Sequence, residues 1–174
     1  MKRLVHILVV GILMGFPSGV YGQTGEDPII KIFSKYEERE GVESVSISPA
    51  LLSLLKTGKS GDQKTQDLIS KISGLRILSI SDGANNRGRA NREALTGELQ
   101  TVVKSDFVEF MSVRNAGERI ELYVRNNADC KDCRGALLLI TSSANSVTVM
   151  HLAGTIDKVL IDAVMNGDIG ISNK

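Results

Sequence analysis

The sequence predicts an α+β domain: a mostly antiparallel sheet with a C-terminal four-strand meander, and helices packed on one face. Two patterns predict this. Apolar residues recur at helical spacing in several stretches before residue 105, and from residue 107 onward they alternate at the period of a strand around short turn-forming sets. A last helical pattern runs over 155–165. No repeat with a period of roughly 20–50 residues is visible, which argues against a solenoid.

Each element has its own cause. Pro28 suits the first position of a helix reaching to about residue 40, with Asp27 as a cap whose carboxylate accepts free amides of the first turn. Ile29, Ile32, Phe33 and Tyr36 fall on one side of it and Lys31, Lys35, Glu38 and Arg39 on the other. Val42, Val45 and Ile47 mark a first strand. Ser48 and Pro49 restart a helix over 50–55, so rich in Leu that burial on most sides is expected. Residues 65–72 add further helical turns, 75–81 a second strand, and 82–88 a polar loop. Ala94, Leu95, Leu99, Val102 and Val103 make 91–104 a third amphipathic helix, which Gly97 weakens by about 1 kcal/mol relative to Ala.

The second half reads as strands. Residues 107–113 and 119–125 flank Asn115, Ala116 and Gly117, a hairpin turn set, and 136–142 and 146–153 flank Ser143, Ala144 and Asn145. Ile120, Leu122 and Val124 alternate with Glu121, Tyr123 and Arg125, so one face is buried and one wet. The wet face is expected to carry Glu121, Tyr123, Arg125 and Thr148 and, if partly apolar, to offer an interaction surface.

Residues 1–22 carry the marks of a secretory signal peptide: Lys2 and Arg3, a short apolar core, then Val20 and Gly22 before a cleavage point at Gln23. No Cys follows that core, so no lipid anchor is expected. Residues 23–27 read as a flexible tether and 28–174 as a single domain. The leader would remove two of the 21 basic residues and none of the 20 acidic ones. The remainder is slightly acidic, poor in aromatics and without Trp, which argues against nucleic acid as a partner. No membrane span is expected after cleavage, and nothing in the residues sets an oligomeric state.

Cys130 and Cys133, the two cysteines, lie between predicted strands rather than at a helix start after a βαβ unit. After export they are expected to form a loop-stapling disulfide worth about 2 kcal/mol. The competing reading is thiol-disulfide exchange. One pair cannot supply a four-Cys zinc site, and His151, the sole histidine after the leader, excludes a two-His motif within one molecule. A Cys-His dyad would also need a free thiol, an oxyanion hole and a cleft. The loop from Asp82 to Gly88 departs from calcium-binding spacing. Arg87, Arg89 and Arg92 gather where a helix begins and the dipole disfavours cations, so they are candidates for an anion contact. No catalytic residue, metal or cofactor is implied.

Several segments carry a family resemblance. They are Phe33 to Tyr36 with the run Gly41 to Val45, Ile47-Ser48-Pro49, the strand from Gly74 to Leu78, the pair 107–113 and 119–124, and the closing run from His151 to Asp157. In these the chain resembles small exported Bacteroidetes proteins of domain of unknown function 4252. The resemblance implies an exported domain with no family active site. Its members' association with genes for extracytoplasmic-function sigma and anti-sigma factors implies envelope signalling or stress. Cys130 and Cys133 lie outside the resembling segments. Together these readings predict a periplasmic, non-enzymatic module for a protein partner in the cell envelope, with redox response through the cysteine pair as the alternative.

Overall fold

A computed structural model describes residues 27–57, 63–83, 86–125 and 135–166. Helix α1 (Pro28–Tyr36) starts as its residues dictate, with the Asp27 carboxylate accepting the Ile29 amide at 2.9 Å and Pro28 inside the first turn. Strand β1 (Val42–Ile47), helices α2 (Pro49–Thr57) and α3 (Gln63–Lys71), strand β2 (Ile72–Ser81) and the long helix α4 (Asn86–Asp106) follow. Then come β3 (Val108–Asn115), β4 (Glu118–Arg125), β5 (Gly135–Ser142), β6 (Ser146–Gly154) and helix α5 (Lys158–Met165).

The six strands form one sheet in the order β1-β2-β6-β5-β4-β3, and every neighbouring pair is antiparallel. Strands β3 to β6 are the expected meander. Ala116 and Gly117 both take positive φ at the tip of its first hairpin, as a two-residue type I′ turn requires. Helix α4 carries the chain from β2 across to the far edge, so β1 and β3 are the two edge strands.

The helices lie on both faces of the sheet, not on one. Ile29, Ile32, Phe33 and Tyr36 of α1 and Leu95, Leu99 and Val103 of α4 pack with Leu78, Leu138 and Val149 on the first face. Leu52 of α2, Leu68 of α3 and Leu160, Ala163 and Val164 of α5 pack with Leu137, Met150 and Leu152 on the second. The physical reason lies in the central strands. Leu137 and Leu138 are consecutive and both buried, as are Val149, Met150 and Leu152, so neither face of β5 or β6 can be left to water. At roughly 1.5–3 kcal/mol for each large apolar side chain buried, one uncovered face would forfeit much of the stability.

Two further expectations are corrected by this layering. Glu121, Tyr123 and Arg125 share the first face, beside α4, but Thr148 points the other way, where its hydroxyl meets that of Ser79 at 3.0 Å. Helix α2 is not buried on most sides: Leu52 is, while Leu51 and Leu54 are 47% and 68% exposed. It packs on α3 and β2.

Glycines at two positions give opposite expectations. A Cβ at Gly97, in the middle of α4, would meet nothing within 4 Å, so Gly97→Ala raises unfolding free energy by about 1 kcal/mol. At Gly154, where φ is +157°, a Cβ would lie 2.1 Å from the Lys71 carbonyl oxygen, so Gly154→Ala destabilises. Urea denaturation of both variants checks the pair. A gain at Gly154 or a loss at Gly97 contradicts the packing described.

Candidate functional site

The alternation of β4 places Arg119, Glu121 and Tyr123 in a row on the first face. Helix α4 stands beside that row, and between them runs a cleft of about 300 Å³. Leu99 and Val103 from α4, Ile140 from β5 and Val147 from β6 form its apolar part, and Thr96, Gln100 and Lys104 border it from the helix. The helix residues are spaced by three and four, which is why one face of α4 supplies them all.

Inside the row the charges are partly matched. Glu121 Oε1 accepts from the Tyr123 hydroxyl at 2.7 Å and meets Arg119 Nη2 at 2.5 Å. Burial, then the Glu121 hydrogen bond and charge, push the Tyr123 phenol up to about 12, so it stays a donor at neutral pH. Arg119 Nε is shut off from water and has no hydrogen-bond partner among the described residues. Directly across from Arg119 on β3 stands Arg114, a like-charge pair on one face.

A second polar cluster sits farther along the same face. Arg125 of β4 forks onto Asp27, with Nη1 at 3.3 Å from Oδ1 and a shorter contact from Nη2, while its guanidinium lies 4.9 Å over the Phe107 ring. His151 of β6 is 2% exposed beneath α1, its Nε2 3.8 Å from Asp27 Oδ2 and its ring 6.3 Å from that of Phe33. Burial drives the His151 pKa from 6.5 to about 4; Asp27 opposes this, and Arg125 and Arg76 reinforce it. Burial pushes Asp27 up, but hydrogen bonds from Arg125 and the Ile29 amide, with the charges of Arg125 and His151, leave it below the usual carboxylate range. The cluster fixes the first turn of α1 to β4 and β6. His151 is neutral near pH 7 and is held by packing, its buried Nε2 having no hydrogen-bond partner among the described residues, while the protonated Tyr123 donates to Glu121.

The other sequence candidates fall elsewhere. Arg92 forks onto Asp82 at 2.8 and 2.9 Å, Arg89 pairs with Glu93 at 2.9 Å, and Arg87 pairs with Glu40. The anion each meets is a carboxylate of the same chain. Cys130 and Cys133 lie outside the described residues, as do the proposed leader and most of the tether. The α4 cleft was missed from the sequence, although its strand side was visible in the alternation of β4. What was not visible is that α4 comes to stand next to it.

The buried histidine makes stability depend on pH. Between about pH 6.5 and about pH 4 the unfolded chain binds a proton that folded His151 refuses, so stability falls as pH drops through that window. Asp27 remains charged there, its own contribution being lost only at lower pH. From about pH 7.5 to about pH 5 the histidine accounts for a loss of about 2 kcal/mol, which His151→Leu removes from the difference between the two urea-denaturation curves. An equal loss in that variant would place the cause elsewhere.

Among the described residues no helix is long and apolar enough to cross a membrane, and no three His, Cys, Asp or Glu side chains gather as metal ligands. No curated protein and no solved structure matches the chain. A family does match, over residues 36–164, a span that takes in every described strand but only the last residue, Tyr36, of the first helix. The chain therefore belongs to the family described as Domain of unknown function (DUF4252).

Proposed function

We propose that the protein is an exported interaction module of the cell envelope that accepts an extended segment of a protein partner along its β3 edge. The observation that carries this reading is the character of β3. Among the described strands it pairs with β4 on one side only, and it holds Val108, Phe110 and Val113 at 75%, 56% and 43% exposure. An edge strand offers unpaired backbone donors and acceptors, and apolar side chains beside them give an added strand something to bury. A register shift between Glu109 and Met111 lets Phe110 stand out of the ladder as a contact point.

The leader reading supplies the compartment. In that compartment Cys130 and Cys133 would close a small ring in the β4 to β5 connection, next to the strand that pairs with the edge. Nothing in this reading calls for a cofactor.

A photo-crosslinking residue at Ser112 on β3, or at Ser44 on the opposite edge strand, tests the proposal in the native envelope. The β3 position is expected to give one discrete protein adduct that the β1 position does not, and Phe110→Asp with Val108→Asp is expected to abolish it while changing stability by no more than about 0.5 kcal/mol. The same adduct from both edges, or one that survives the double substitution, overturns the reading. So does an adduct at twice the domain's own mass, which makes a second copy the strand donor. Recovery of the chain uncleaved in the cytoplasm, rather than starting at Gln23, overturns the exported assignment.

A further inference from the structure

The cleft between α4 and β4 does not take part in the β3 edge, and its chemistry selects a different kind of occupant. We propose that it binds a small amphiphilic monoanion, a single carboxylate on an apolar chain or ring. Its volume of about 300 Å³ lies at the small end of ligand sites, and Leu99, Val103, Ile140 and Val147 provide an apolar bed for such a body.

Charge chooses the head group. Glu121 is the one carboxylate among the lining residues, and it is engaged by Arg119 and by the Tyr123 hydroxyl. Lys104 and Arg119 therefore leave the lining with one positive charge in excess. Lys104 makes no hydrogen bond or ion pair among the described residues, so its ammonium is available at the rim.

Two features of Arg119 show that positive charge here is matched only in part. Arg119 Nε is a buried donor without an acceptor among the described residues, a cost that an anion drawing the guanidinium toward the cleft relieves. Arg114 and Arg119 face each other directly across β3 and β4, and Glu121 in the adjacent row offsets only one of the two charges. Glu109, opposite Tyr123, lies two rows farther along that face and does not neutralise the pair. One excess charge suits a monoanion, while an apolar bed disfavours a fully hydrated inorganic ion.

Titration of the isotope-labelled protein with sodium decanoate, followed by amide chemical shifts, tests this directly, with 1-decanol and decyltrimethylammonium as controls for the chain alone and for the opposite charge. Decanoate below its micellar concentration is expected to give saturable shifts at Gln100, Lys104, Tyr123 and Ile140. The two controls are expected to bind at least about tenfold more weakly, the loss of one charge-assisted contact. Lys104→Glu, at an exposed position that leaves the core untouched, is expected to weaken decanoate by a similar factor with no change in melting temperature. Equal binding of decanol or of the cationic analogue overturns the proposal. Shifts confined to β3 or α2, or undiminished affinity in Lys104→Glu, overturn it as well.

Discussion

Strands β5 and β6 have no polar face. Ala136, Leu137 and Leu138 run consecutively through β5, and Val149, Met150, His151 and Leu152 through β6, all of them buried. In an antiparallel sheet such residues alternate between opposite sides, so the chain must supply a cover for each. That need divides the helices: α1 and α4 on one side, α2, α3 and α5 on the other. It also sets the sheet order, because β6 can be enclosed only if β2 flanks it on the side away from β5. The strands left at the margins, β1 and β3, are the ones whose side chains reach solvent.

The first face shows what covering a sheet costs when one strand is polar. β4 contributes Arg119, Glu121, Tyr123 and Arg125 to it, and a buried polar group without a partner is expensive. Arg125 is matched by Asp27, which also caps α1 and so ties the helix start to the sheet. At the other end of α1, Tyr36 and Lys35 both donate to Glu98 of α4, at 2.9 and 2.6 Å, joining the two helices of that layer. Tyr123 is matched by Glu121. Arg119 is matched only in part, and it borders the cleft that α4 leaves open. Structural pairing along β4 thus runs from complete to incomplete, and the incomplete end coincides with the cavity.

Most elements were legible because their period was clean. The stripe of Ile29, Ile32, Phe33 and Tyr36 gave the right element and the right inward residues, whereas the alternation over 119–125 gave the strand but not its dry face: of Ile120, Leu122 and Val124 only Leu122 is buried, and Tyr123 packs against the first core. The one-sided layering failed at a specific place: residues 136–140 are apolar without alternation and 147–152 reverse phase at Met150, which was itself the signal for burial on both faces. Helix α4 begins at Asn86 rather than 91 because its first turns carry no apolar stripe and are held through Arg92 and Asp82, a pairing that spacing alone does not reveal. The exposure of Leu51 and Leu54 was hidden for a related reason. A Leu-rich helix is indistinguishable in sequence from a buried one until its neighbours are placed. The cleft depended on bringing residues 96–104 beside 119–123, a tertiary fact with no local trace.

Doubly covered central strands and an open β3 margin make one claim, since the layers that bury β5 and β6 stop short of the edge that the proposed partner occupies. Native-state amide hydrogen exchange in dilute protein tests it most directly. The amides of Leu137, Leu138, Met150 and His151 are predicted to exchange only through global unfolding, with the free energy measured by denaturant, while the outward amides of β3 exchange far faster. Protection of β3 equal to that of β6, or rapid exchange in β6, would contradict the account.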